Sequence, residues 1–159
     1  MRTLLPLLAL ALVPAALAAQ PPATAAAEAP IVAEARAFME GYGEELRLGD
    51  RSALADRYDR NGAWRVGPAR TEFQSWADIE ANYRRRWAAP ASFEWRGLAY
   101  EPAGPDAVVV VGRFLWWPPK AAERGKPLDY SYTALLLRRD GRLRIRVEDE
   151  AAAVPSSRR

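Results

Sequence analysis

"LRLGDRSALADRYDRNGAW", residues 46–64, changes local structure three times in one short stretch. Gly49 has the freedom to end a helix in a left-handed conformation, and Asp50 is placed to cap the helix that follows. Leu54 and Tyr58 then share a face, Asn61-Gly62 supplies a turn, and Ala63-Trp64 opens a strand. Upstream, Ile31, Ala35, Phe38, Tyr42 and Leu46 recur at helical spacing, which predicts a helix over 31–48. Downstream, Ser75 and Asp78 form a capping-box pattern before a helix whose stripe is Trp76, Ile79, Tyr83 and Trp87, and Pro90 ends it. The rest is strand-like, over 92–100, 107–117, 128–138 and 142–150, and the last two flank a hairpin turn at Asp140-Gly141. Helices grouped early and an antiparallel meander after them predict an α+β domain with its helices on one face of the sheet.

The ends of the chain read differently. Arg2 precedes an apolar run from Leu4 to Leu17 that closes on Ala16-Leu17-Ala18, the pattern of a signal peptide over 1–18. That run is shorter than the ~20 residues a membrane span needs, and Pro6 and Pro14 interrupt it. Export to the periplasm or medium is therefore expected, with no membrane association after cleavage. Residues 19–30 are Ala/Pro-rich without a large side chain, a composition expected to form a disordered linker. Residues 152–159 read as a loose tail, which leaves one domain of ~120 residues over 31–151.

Composition excludes whole classes of chemistry. With no cysteine and no histidine, there is no disulfide, zinc-thiolate site, Cys nucleophile or imidazole acid–base catalyst. Nothing in the sequence asks for a metal or a cofactor. Lys and Arg total 23 against 20 Asp and Glu, interspersed along the chain, and Arg84, Arg85 and Arg86 fan around a helix. Nucleic acid is not an expected partner, since no basic patch or signature is present.

The helix ending "LRLGD", the following "LADRYDRNGAW" and the closing "DGRLRIRVED" together resemble the nuclear transport factor 2-like superfamily, which includes SnoaL-like and ketosteroid isomerase-like proteins. The resemblance covers residues 31–151. It implies a strongly curved sheet wrapped around three N-terminal helices, a cone with a pocket at its open end. In the isomerases a carboxylate base shuttles a proton, while a tyrosine and a protonated acid hold the enolate oxygen. Carried onto this chain without gaps, the tyrosine position falls on Tyr42 and the base position on Val66, which cannot accept a proton. The acid position falls near Tyr132 or Thr133. The resemblance therefore favours binding over isomerase chemistry. The Arg-x-Asp pair of limonene-epoxide hydrolase-like members is also missing, because Phe114 and Leu115 follow Arg113.

Two further patterns bear on a site. Leu143, Ile145 and Val147 alternate with Arg142, Arg144 and Arg146, and continuing that period turns Asp149 inward and Glu148 outward. Asp149 is then either an acid or ligand anchor at the cavity mouth, or a solvated residue past the strand end. Tyr42 is either a core aromatic or a hydrogen-bond donor, and Gly41 and Gly43 beside it suggest close backbone approach or open space. Trp64 and Trp95 sit on strands where they would line an apolar pocket with Tyr42, Tyr83, Thr133 and Asp149. Asp56 and Asp59 read as capping residues. Trp116 and Trp117 point to opposite faces of one strand, and an apolar outer face implies a homodimer. The expected function is binding of a small apolar molecule without turnover. The alternatives are an isomerase, cyclase or dehydratase using Asp149 and Tyr42, and a dimeric scaffold.

Overall fold

The computed structural model describes residues 29–67, 70–119 and 125–152. The segments expected to be a signal peptide (1–18), nearly all of the expected linker, and the expected tail beyond Ala152 lie outside the described residues. Helix α1 spans Pro30–Leu48, with Pro30 in its first turn, where a missing N–H costs nothing. Gly49 closes it in the left-handed conformation, and its N–H bonds the Glu45 carbonyl. Asp50 caps α2 (Arg51–Asp56) by accepting from the Ala53 N–H at 3.0 Å. The capping box of α3 (Trp76–Arg85) is reciprocal: Ser75 accepts from the Asp78 N–H and donates to its carboxylate at 2.6 Å.

The strands are β1 (Ala63–Gly67), β2 (Arg70–Gln74), β3 (Ser92–Gly104), β4 (Ala107–Trp117), β5 (Leu128–Arg139) and β6 (Arg142–Ala152). They form one six-stranded sheet in the order β2-β1-β6-β5-β4-β3. Two expectations need correction. The sheet is mixed, because β1 runs parallel to β6, with Arg65 opposite Glu148. Five-residue β2 gives no long periodic signal, and it exists because β1 turns back on itself, pairing Trp64 with Phe73.

The turn at Asp140-Gly141 has positive φ at both residues, as a two-residue hairpin of the primed type requires. Along β5 and β6 the pairing then slips. Leu136 faces Ile145, but Leu135 faces Val147, leaving Arg146 as the extra residue of a bulge. The Arg146 guanidinium reaches across to the carbonyls of Asn61 and Gly62, at 3.2 and 2.6 Å. Beyond Arg146 the inward and outward positions of β6 are exchanged.

The core lies between the three helices and the concave face of the sheet. It is built from Met39, Leu54, Ile79, Val108, Val110, Leu136 and Ile145, all inaccessible to solvent. Both α1 glycines sit at close approaches. A Cβ on Gly41 would lie 2.5 Å from the Arg57 guanidinium, and one on Gly43 would lie 2.7 Å from the Trp95 indole nitrogen.

Candidate functional site

The bulge decides which carboxylate enters the domain. Glu148 is fully buried (0% exposed), whereas Asp149 pairs with exposed Thr133 on the outer face. The inward Asp149 expected from strict alternation is thus corrected, by the one-residue slip at Arg146. Thr133 is corrected with it, and its neighbour Tyr132 is the residue that points in.

Four groups converge on Glu148. Oε1 accepts from the hydroxyls of Tyr42 and Tyr132, each at 3.2 Å. Oε2 accepts from Tyr58 at 2.6 Å and pairs with the Arg65 Nε at 3.1 Å. A carboxylate offers about four lone-pair sites, so these partners use its whole capacity. Tyr58 completes the network by contacting the Tyr83 hydroxyl at 3.1 Å and accepting from Arg65 at 3.0 Å. Burial raises the Tyr42 and Tyr132 pKa values well above the ordinary phenol, and the Glu148 charge adds to this. Burial raises Tyr58 and Tyr83 too, against the pull of Arg65.

Tyr42, Arg65 and Tyr83 of this cluster also line a cavity of about 340 Å³. Trp87, Phe93, Trp95, Phe114, Trp116 and Tyr130 make its walls, and Tyr42, Arg65, Asn82, Tyr83 and Glu150 its polar lining. The rings brace one another: Phe114 stacks on Tyr130 at 4.9 Å, and Trp95 meets Tyr132 edge-on at 4.8 Å. The Trp95 indole N–H donates to the Met39 carbonyl at 3.0 Å, fixing its ring against α1.

Of the residues expected to line a pocket, Tyr42, Tyr83 and Trp95 come together here. Trp64 does not. It is 44% exposed and lies edge-on against Phe73 of β2, because Ala63 and Arg65 take the inward positions of β1. Val66 shares the outward side with Trp64, and Arg65 holds the inward position beside it. Asp59 is buried as a turn-former, accepting from the Asn61 N–H at 2.9 Å and from Arg139 at 3.2 Å. Asp56 pairs with Arg60 at the surface.

Sequence reasoning missed Arg65, Tyr58, Glu148 and Glu150. Three consecutive acids at 148–150 guaranteed an inward carboxylate in either register, and that was the available signal. Glu150 is half-buried, two residues beyond Glu148 on the same face. Its pKa is raised from 4.5 to about 7, first by burial and then by the Glu148 charge, with Arg65 opposing. Among the described residues, no group of three or more His, Cys, Asp or Glu side chains is placed to hold a metal ion.

The architecture has solved counterparts. An NTF2-like protein of unknown function from Shewanella oneidensis superposes with a TM-score of 0.64 at 16% identity, over 75% of this chain and 97% of its own. The chain has the NTF2-like fold. A protein proposed to be a ketosteroid isomerase, from Parabacteroides distasonis, matches at TM-score 0.61 and 11% identity, over 76% and 86% of the two chains. One proposed to be a scytalone dehydratase, from Novosphingobium aromaticivorans, matches at 0.60 and 12%, over 77% and 83%. No protein-family model matches the sequence, and no curated protein does. At these identities the likeness is one of NTF2-like fold, here enclosing a buried aromatic cluster.

Proposed function

We propose that this NTF2-like domain binds a small, largely apolar ring compound in its aromatic cavity, without turning it over. The observation that carries this reading is the wall of six aromatic side chains around about 340 Å³, with a few polar groups in the same lining. That volume is near the lower end of the roughly 300–1,000 Å³ typical of small-molecule sites, which suits one or two rings. Binding is favoured over catalysis because the hydroxyl protons of Tyr42, Tyr58 and Tyr132 are all donated to Glu148. Those three are therefore not free to hold a developing enolate oxygen, and Tyr42 is the one the resemblance would have assigned to that role. Asp149 and Tyr42 lie on opposite sides of the sheet, so that acid–base pair does not form.

Toluene and benzyl alcohol are suitable first probes. Binding predicts quenching of tryptophan fluorescence by Trp87, Trp95 and Trp116, together with a raised Tm. Failure of both probes and of a wider ring-compound panel to produce either response would overturn the reading.

The place of Glu150 in the cavity lining favours a second reading, proton-transfer catalysis by its carboxyl, which burial raises to a pKa of about 7, near that of a useful general base. It predicts turnover of a carbonyl compound with an acidic C–H, and loss of that turnover in Glu150→Gln. Two sequence expectations accompany the proposal. Export predicts a mature chain beginning at Ala19, read by N-terminal sequencing. Homodimerisation through the outer sheet face is supported by exposed Val111 (42%), which pairs with exposed Thr133 on that face.

A further inference from the structure

Glu148 and Glu150 enter the same concave space from one strand, yet their surroundings differ. Glu148 meets four donors. Among the described residues, no hydrogen bond or ion pair reaches the Glu150 carboxyl, although it lines the cavity. The charged or titratable groups among the described residues that bear on Glu150 are Arg65 on β1, Glu148 and Asp149 on β6, Tyr132 on β5, and Tyr58 after α2. Tyr42 on α1 and Tyr83 on α3 line the same space.

The only cation in that set is Arg65, and its charge is taken up by Glu148 at 3.1 Å. With Arg65 and Glu148 cancelling, an ionised Glu150 leaves the cavity lining one negative charge in excess. Trp87, Trp95, Trp116 and Tyr130 line the same cavity, and aromatic rings of this kind attract cations. A neutral ligand would leave the carboxyl desolvated without a partner, and an anionic one would add repulsion.

Resting on the binding reading above, we infer that the cavity selects a monocationic ligand, an aromatic or apolar amine whose ammonium group pairs with Glu150 while its ring lies among the tryptophans. Glu150 is the binding counter-ion, and Arg65 and Glu148 form a neutral floor beneath it. The raised pKa of Glu150 adds a pH signature: in the free protein the carboxyl holds a proton up to about pH 7, and an incoming ammonium displaces it.

Benzylamine, benzyl alcohol, benzoate and toluene separate the possibilities, with tryptophan quenching and Tm as readouts at pH 5 and pH 8. Benzylamine stays protonated across this range. Because only the ionised fraction of Glu150 accepts it, it should bind at least about 10-fold more tightly at pH 8 than at pH 5. Benzyl alcohol and toluene should show no such gain, and benzoate should weaken. Glu150→Gln should abolish the benzylamine preference while keeping toluene binding. If benzylamine and benzyl alcohol bind alike at pH 8, or if the variant keeps the preference, the cation inference falls and the binding reading stands. If all four probes and toluene analogues fail, both fall. The pH comparison uses the unmodified chain, so it decides the inference even where the variant does not fold.

Discussion

Replacing Glu148 by Gln tests both the buried network and the bulge that places it. The side-chain volume is kept, but one carboxylate oxygen becomes an amide NH2. Oε1 serves Tyr42 and Tyr132, and Oε2 serves Tyr58 and Arg65. Whichever oxygen is lost, the tyrosine hydroxyls it served must reverse their hydrogen bonds or lose them, and Arg65 loses its buried counter-charge. Removing one partner of a buried pair typically costs ~3–5 kcal/mol. For a domain of ~120 residues, that lowers Tm by on the order of 10–20 °C. Asp149→Asn is the internal control: its side chain is on the outer face, where substitutions usually stay within about 0.5 kcal/mol. Paired urea and thermal denaturation of the two variants is the assay. Comparable losses in both, or a larger loss in Asp149→Asn, would refute the inward Glu148 and with it the slip at Arg146.

The pH dependence of stability should carry a Glu150 contribution of known sign. Its native pKa of about 7 lies above the ordinary 4.5, so the native state holds a proton that the unfolded chain has already released. Stability contributed by that proton is complete below about pH 4.5 and is lost as pH rises to about 7, by at most ~3 kcal/mol. Urea unfolding of the unmodified chain should show this decline, and Glu150→Gln should flatten it. Gly43→Ala should be destabilising despite the better helix propensity of alanine. The new Cβ would meet the Trp95 indole nitrogen at 2.7 Å, and overpacking of this kind costs ~1–3 kcal/mol; a Tm drop with altered tryptophan emission is the measurement. Gly62→Ala should also lose about 1–3 kcal/mol, since Gly62 has φ +87° and a Cβ there would lie 2.5 Å from the Gln74 carbonyl oxygen. Sedimentation should show a dimer that Val111→Lys dissociates, and a monomer at micromolar concentration would remove the outer-face interface.

Much of the fold was legible because local chemistry and tertiary context agree. Gly49, Asp50, Ser75 and Asp140-Gly141 each impose a backbone geometry that needs no distant partner. The site was less legible because its geometry depends on one unpaired residue. Arg146 looks like any other outward arginine in the series Arg142, Arg144, Arg146. What sets it apart is the pair of turn carbonyls at Asn61 and Gly62, more than eighty positions away. Trp64 failed for a related reason. Its side of β1 follows from which neighbours β1 takes, and the parallel pairing to β6 is invisible in residues 63–67 alone.

The two inward glutamates show why a single carboxylate would not serve this cavity. A buried charge must be paired, and pairing Glu148 with Arg65 and three tyrosines fixes strands β1, β5 and β6 against helix α1. Full satisfaction leaves that group with nothing to offer a ligand. Glu150 sits one inward position further along, past the reach of those donors, and keeps its capacity at the cost of a strongly raised proton affinity. The same Arg65 that anchors the first carboxylate opposes the rise in the second. Arg65→Met combined with Glu148→Gln removes both buried charges and leaves an amide that the three tyrosine hydroxyls can still bond, so it should destabilise the domain less than Glu148→Gln alone. The substitution removes the Glu148 charge that raises Glu150 together with the Arg65 charge that lowers it, and Glu148 is the larger influence. The Glu150 transition should therefore move downward in the double variant. An upward shift would mean that Arg65, and not Glu148, dominates the field at the cavity floor.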